Sequence, residues 1–162
     1  MTKISTLAYL VKNNQVLLGL KKRGFGTGKL NGYGGKVDIE KETVIESVYR
    51  EVQEEAGVDI QVSETNACAK LDFWMGEELA FICYVFLVHQ WSKEPIETEE
   101  MKPTWFPISE LPLEQMWVDD PHWLPQVLQG QRLSGSIYLS KDGATILKTD
   151  IKEEQSINPS LT

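Results

Sequence analysis

Glu42-Thr43-Val44-Ile45-Glu46-Ser47-Val48-Tyr49-Arg50-Glu51-Val52-Gln53-Glu54-Glu55-Ala56-Gly57 is the stretch that decides the fold. Apolar residues recur at 44, 45, 48, 52 and 56, the spacing of a helix that buries one stripe, and Gly57 suits a left-handed stop. The spacing predicts a helix over 42–56. At about 100° per residue, with Glu51 at ~0°, the apolar residues fall between roughly 20° and 140°. Glu55 lands at about 40°, inside that stripe, and Glu54 at about −60°, beside it. Glu51, Glu54 and Glu55 therefore crowd one wedge. Like charges at this spacing repel by a few tenths of a kcal/mol. A half-buried carboxylate with no partner costs far more, or takes up a proton. Two readings follow: a solvated acidic face on which Glu55 pairs with Arg50 or Lys36, or a set of oxygen ligands for a divalent cation such as Mg2+.

Just before this helix, residues 21–35 carry six of the 12 glycines (24, 26, 28, 32, 34 and 35) among basic and aromatic residues. Such a run reads as a loop that needs unusual dihedrals or a close backbone approach. Residues 2–11 and 15–20 alternate as two strands about Lys12-Asn13-Asn14. Residues 58–62, 68–75 and 79–90 also read as strands, the last two joined at Gly76-Glu77-Glu78. Residues 104–108, flanked by prolines, read as an edge strand. Residues 112–129, rich in Trp and Leu, suggest a second helix entered through Asp119-Asp120-Pro121. Residues 134–139 and 144–149 close the chain as a hairpin. Strands outnumber helices without alternating with them, so the class is α+β, a mixed sheet with packed helices. Residues 1–150 are expected to form one domain and 151–162, polar and aperiodic, a loose tail.

Composition narrows the function. The 162 residues hold 24 Asp+Glu against 16 Lys+Arg, a net charge of −8, and the pI is near 4.8. A negative field excludes a long nucleic-acid polymer as partner, and an anionic ligand then requires a mediating cation. No apolar run is long enough to cross a bilayer, and residues 1–5 open no export signal, so a cytoplasmic location is expected. Cys68 and Cys83, without a CxxC or a spaced histidine, read as reduced thiols.

With Gly35 included, the helix resembles the signature of the Nudix hydrolases: a glycine, five residues, a glutamate, seven residues, then Arg-Glu-U-x-Glu-Glu-x-Gly-U, with U a bulky aliphatic. Seven residues separate Glu42 from Arg50, and Arg50-Glu51-Val52-Gln53-Glu54-Glu55-Ala56-Gly57-Val58 fits every later position. Six residues, not five, lie between Gly35 and Glu42, which predicts a bulge within 38–41. Gly19-Leu20-Lys21-Lys22-Arg23-Gly24-Phe25-Gly26, Trp105-Phe106 and Met116-Trp117-Val118-Asp119-Asp120-Pro121-His122-Trp123 are similar to the MutT-type branch of that family. That branch acts on oxidised purine nucleoside triphosphates such as 8-oxo-dGTP. The likeness spans roughly residues 3–147 and implies the Nudix fold, a mixed β-sheet sandwiched between α-helices. It also implies a monomeric, Mg2+-dependent hydrolase (Mn2+ the alternative ion) that attacks phosphorus with water and releases the monophosphate and pyrophosphate.

The resemblance further implies that Glu51 and Glu55, the Gly35 carbonyl and Glu100 hold the metal, with Glu54 at the same centre. It makes Glu54 or Glu100 the general base and Arg50 part of the catalytic cluster. Glu100 otherwise reads as surface charge beside Glu97 and Glu99. Lys21 and Arg23 are candidates for the triphosphate. For the base, Asn31 offers a donor and an acceptor on one amide. Asp119 and Asp120, adjacent carboxyls in a half-apolar setting, cannot both ionise easily, so one can donate while the other accepts. Their plain reading is a helix cap. Trp117 and Phe25 are candidates to stack on the base, Phe81 and Trp123 to wall the pocket, and Thr6 to reach the substrate from the first strand. Other expectations keep the fold and change the ligand: 2-hydroxy-dATP, O6-methyl-dGTP, a dinucleotide polyphosphate, or a silent nucleotide sensor.

Overall fold

Alternation along the first strands becomes a hairpin of β1 (Ile4–Lys12) and β2 (Gln15–Lys21), turned by Asn13 and Asn14 at φ 51° and 59°. The computed structural model describes residues 2–160. After β3 (Leu30–Asn31) comes α1 (Val44–Ala56), then β4 (Asp59–Gln61), β5 (Ala67–Met75), β6 (Glu78–Val88), β7 (Gln90–Ser92) and β8 (Met101–Pro107). The chain ends with α2 (Leu124–Leu128), β9 (Arg132–Leu139) and β10 (Ile146–Glu154). The main sheet runs β10-β9-β5-β6-β1-β2-β3, with β8 paired to the other edge of β2. It is mixed: β1–β6 and β5–β9 are parallel, the other pairs antiparallel. Strands β4 and β7 form a separate ribbon. Among the described residues no helix is long and apolar enough to cross a membrane.

Helix α1 starts two residues later than its periodicity suggests because Thr43 caps it. The Glu46 N–H donates to Thr43 Oγ1 at 3.1 Å and the Thr43 N–H to Glu46 Oε1 at 2.9 Å, a reciprocal box. Gly57, at φ 71°, ends it by donating to the Gln53 carbonyl. Val44, Val48, Val52 and Ala56 pack on one face of the sheet with Ala8, Tyr84 and Phe86. Each buried valine contributes about 1.5–2 kcal/mol. That holds a β-branched helix which would be marginal alone. Trp123, Leu124 and Val127 cover the other face with Tyr9, Leu71 and Phe73. The sheet is thus enclosed between helical layers, as the resemblance implies.

Two expectations need correction. The second helix over 112–129 is in fact two 3-10 turns, Leu113–Gln115 and Asp120–His122, and the five-residue α2. Pro112, Pro121 and Pro125 interrupt it by removing backbone donors and crowding the preceding turn. The expected loose tail from 151 is ordered: β10 pairs with β9 through Glu154↔Arg132, and Ile157 enters the core on the α1 side. Strand β10 is a sheet edge with little apolar patterning, so its backbone ladder fixes it where side chains give no signal. Residues 161–162 of that tail lie outside the described residues.

Candidate active site

The site is assembled where the glycine ribbon crosses the carboxylate face of α1. The Gly34 N–H donates to Glu55 Oε1 at 2.8 Å. A Cβ on Gly35 would sit 2.5 Å from Glu51 Oε1, and one on Gly34 would sit 1.8 Å from the Thr6 carbonyl oxygen. At Gly34 the obstacle is backbone and no side chain fits, whereas at Gly35 a side chain would have to displace the Glu51 carboxylate. The Thr6 N–H donates to the Gly35 carbonyl at 2.9 Å and pins the ribbon to β1. That carbonyl keeps a second lone pair for another partner.

Arg50 organises the rest. Its Nη2 and Nε reach Glu42 at 2.7 and 2.9 Å, while Nη1 reaches Glu51 at 3.0 Å and Glu54 at 3.3 Å. The guanidinium holds the Glu42 carboxyl below its ordinary range. The additional residue is absorbed in a turn at Asp38, whose carbonyl accepts from both Lys41 and Glu42. The bulge therefore leaves Glu42 in place. Glu55 is only 5% exposed, and its partner is the Gly34 N–H, not Arg50 or Lys36. The solvated-face reading of the wedge fails here. Burial pushes the Glu55 carboxyl up to about 8, opposed by the Gly34 N–H and reinforced by the charge on Glu51. Glu51 is also raised by burial, with Arg50 opposing.

These carboxylates line a cavity of about 590 Å³ with Lys21, Arg23, Thr98, Glu99 and Glu100. The acidic loop is fixed to α1 by Thr98, whose Oγ1 donates to the Glu55 carbonyl at 2.9 Å. Arg23 grips Glu100 Oε1 through Nη2 at 2.6 Å and Nε at 2.9 Å, which holds that carboxyl below its ordinary range. Among the described residues no three carboxylates close into a ready metal cage, since Arg50 and Arg23 turn several of them aside. The donor set still fits a divalent ion. It is all oxygen, it includes the buried Glu55 carboxylate, which no salt bridge neutralises among the described residues, and Mg2+ ordinarily completes its shell with water and phosphate. Glu51, Glu55, the Gly35 carbonyl and Glu100 are the groups that can hold it.

A second cavity, of about 540 Å³, lies across the same ribbon and shares Gly34 and Gly35 with the first. Asp119 and Asp120 are 8% and 3% exposed. Asp119 Oδ2 accepts from Trp123 Nε1 at 2.9 Å, and Asp120 Oδ2 from the Trp117 N–H at 3.0 Å. Each carboxyl thus commits Oδ2 to the protein. Burial raises both, and the neighbouring Asp119 charge drives Asp120 higher still. Neither side chain caps the following turn, so the cap reading is set aside. Trp117 Nε1 donates to Asn31 Oδ1, and Phe25, 84% exposed, stacks on Trp117 at 5.2 Å between centroids.

A model of the NUDIX domain matches residues 1–127. The chain belongs to the Nudix family. A zebrafish (Danio rerio) protein named oxidized purine nucleoside triphosphate hydrolase is 41% identical over 134 residues, covering 83% of this chain and 85% of the relative. A mouse (Mus musculus) protein of the same name is 35% identical over 155 residues, covering 96% and 97%. The crystal structure of a MutT protein from Bacillus halodurans superposes with a TM-score of 0.75 at 24% identity, covering 93% and 97% of the two chains, a likeness of fold.

The residues expected from the sequence divide between the two cavities. Glu51, Glu54, Glu55, Glu100, Lys21 and Arg23 meet at the first; Thr6, Phe25, Asn31, Phe81, Trp117, Asp119 and Asp120 meet at the second; Gly35 lines both, and Arg50 lines neither but holds Glu51 and Glu54. Trp123 is a correction: it is fully buried behind the pocket and anchors Asp119 instead of forming a wall. Sequence reasoning missed Phe73, stacked on Phe81 at 4.7 Å, and Lys29, whose ammonium lies 5.3 Å from the Trp117 ring. Phe73 and Met75 were findable, because alternation along β5 puts them on the face of Leu71. The hairpin residues Asp142, Gly143 and Ala144, also lining the cavity, gave no local signal.

Proposed function

We propose that this chain hydrolyses oxidised purine nucleoside triphosphates such as 8-oxo-dGTP to the monophosphate and pyrophosphate, with Mg2+ as cofactor and Mn2+ as a substitute. One observation carries the reading: a carboxylate-lined cavity and a base-sized cavity with paired buried aspartates meet across the two-glycine ribbon. A nucleotide spanning that ribbon has its phosphates among Glu51, Glu54, Glu55 and Glu100 and its base against Asp119 and Asp120. The names of the zebrafish and mouse relatives support the same substrate class.

When bound, a divalent ion would neutralise phosphate charge and polarise the phosphorus that water attacks. The protein supplies positioning. Arg50, tied to Glu42, holds Glu51 and Glu54 in fixed directions. Glu54 is the general base: its single ion pair leaves one oxygen open to accept the proton of the attacking water. The water oxygen bonds to phosphorus as the anhydride P–O bond breaks, and pyrophosphate leaves with that electron pair. In the base cavity Asp120 keeps its proton and donates to a purine carbonyl, while Asp119 accepts from a ring or amino N–H. The buried thiols Cys68 and Cys83 are free, which supports a reducing, cytoplasmic setting.

The test is pyrophosphate release from 8-oxo-dGTP and dGTP, with Mg2+ and with EDTA. The expected result is Mg2+-dependent turnover strongly favouring the oxidised nucleotide. No release, or equal turnover of the two, overturns the assignment.

A further inference from the structure

The cationic end of β2 and the acidic loop before β8 are locked together by main chain, yet their side chains are joined by exchangeable charge. Register sets Lys21 opposite Met101, and the Lys22 N–H donates to the Glu100 carbonyl at 2.9 Å. Thr98 Oγ1 accepts from the Glu100 and Met101 N–H groups, each at 3.3 Å, while donating to the Glu55 carbonyl. The backbone of Glu100 is therefore fixed beside α1. Among the described residues its carboxylate is held only by cations: Arg23 on Oε1, and Lys21 Nζ at 3.7 Å from Oε2. Arg23 also reaches Glu99 at 3.4 Å, and both Arg23 and Glu100 line the carboxylate cavity. Ion pairs this exposed exchange readily with other partners.

We propose that Arg23 is the cavity's own counter-cation, holding Glu100 while no divalent ion is bound and passing to the oligophosphate chain of the substrate when Glu100 turns to the ion. The inference rests on the reading of this cavity as an oligophosphate site and deepens it. A guanidinium suits the exchange because its planar fork matches carboxylate and phosphate oxygens alike. In an acidic cavity the arrangement keeps Glu100 neutralised at every stage. It also makes ion entry and phosphate binding cooperate, since phosphate draws away the cation that competes for Glu100. Arg23 is thus a positioning and phosphate-gripping residue.

Titration of the folded protein with Mn2+ alone, read by the electron-spin signal of free Mn2+, tests this without turnover. Arg23→Gln is expected to bind Mn2+ roughly threefold to tenfold more tightly than the wild type, and Arg23→Lys, a point charge without the fork, between the two. Inorganic tripolyphosphate should tighten Mn2+ binding in the wild type and do so severalfold less in Arg23→Gln. Unchanged or weaker Mn2+ binding in Arg23→Gln, or equal tightening by tripolyphosphate in both proteins, overturns the proposal. A wild-type chain that leaves 8-oxo-dGTP intact overturns only the functional reading, because the binding comparison needs no reaction.

Discussion

Replacing Glu55 by glutamine removes a carboxyl whose charge this fold buries at a cost, so the variant should be inactive and yet more stable without metal. The carboxyl ordinarily titrates near 4.5, and burial moves it to about 8 in the folded chain. The folded state therefore binds the proton more tightly than the unfolded state. Stability must fall as pH rises from about 4.5 to about 8, and the full penalty stands above that. At pH 7 the gap corresponds to about 3 kcal/mol, an upper bound for what the substitution recovers. Glutamine keeps an oxygen able to accept from the Gly34 N–H, so the hydrogen bond at 2.8 Å need not be lost. For a domain of this size roughly 2–4 °C accompanies each kcal/mol, so a rise of up to about 6–12 °C is expected in EDTA at pH 7. The assay is thermal unfolding in EDTA across pH 4.5–8.5, repeated with saturating Mg2+. The difference should vanish near pH 4.5, widen to pH 8, and shrink with Mg2+, which stabilises only the carboxylate form by mass action. A variant no more stable than the wild type at pH 8 in EDTA would refute the reasoning, because Glu55 would then carry no buried charge.

Four further outcomes test separate parts of the molecule. Asp119→Asn should raise KM for 8-oxo-dGTP at least tenfold with kcat within about threefold; Trp105→Phe, at the distant Trp91 stack, should change neither. Arg50→Lys loses the two-pronged contact with Glu42 and should lower kcat about tenfold while KM stays near the wild-type value. Ending the chain after Glu154 removes the burial of Ile157 and should cost about 2 kcal/mol in chemical denaturation, with turnover unchanged. Deleting Ile39 should preserve pyrophosphate release, since the additional residue is spent in the turn at Asp38; complete loss would give that turn a role of its own.

The sequence carried the helix and its carboxylates with little ambiguity because two independent patterns overlap there. Apolar spacing places Val44, Val48 and Val52 inward, and Glu55 violates that spacing in the same register, which only a buried polar contact resolves. Asn13-Asn14 and Gly57 were equally legible, since each answers a local demand for positive φ. Long-range geometry was hidden. Nothing local distinguishes Glu100 from Glu97 and Glu99; only the β2–β8 register brings Glu100 to Arg23. The far half of β10, beyond Thr149, was missed for the same reason: an edge strand satisfied by its backbone ladder needs no apolar alternation. Trp123 showed a related failure. An aromatic beside a pocket residue reads as a wall, yet its indole N–H is spent inward on Asp119.

The two cavities are built from different parts of the chain and joined at one ribbon, and this division bears on how specificity and chemistry can vary separately. The carboxylate cavity takes its groups from α1 and from the loop pinned by Thr98. The base cavity takes Phe73 and Phe81 from β5 and β6, Asp119 and Asp120 from the 3-10 segment, and Asp142 from the last hairpin. If the second cavity holds the base, as proposed, a change in Phe81 or Asp142 alters which base fits without moving Glu51 or Glu55. The ribbon allows no such freedom. Gly34 touches the Thr6 carbonyl on one side and donates to Glu55 on the other, so any displacement moves the floor of both cavities together. Fixing the ribbon to β1 through the Thr6 N–H and the Gly35 carbonyl holds the floor shared by the two cavities by backbone alone. On the proposed function, the fold can thus accept a different damaged base while the phosphate to be cut stays in register with the same glutamates.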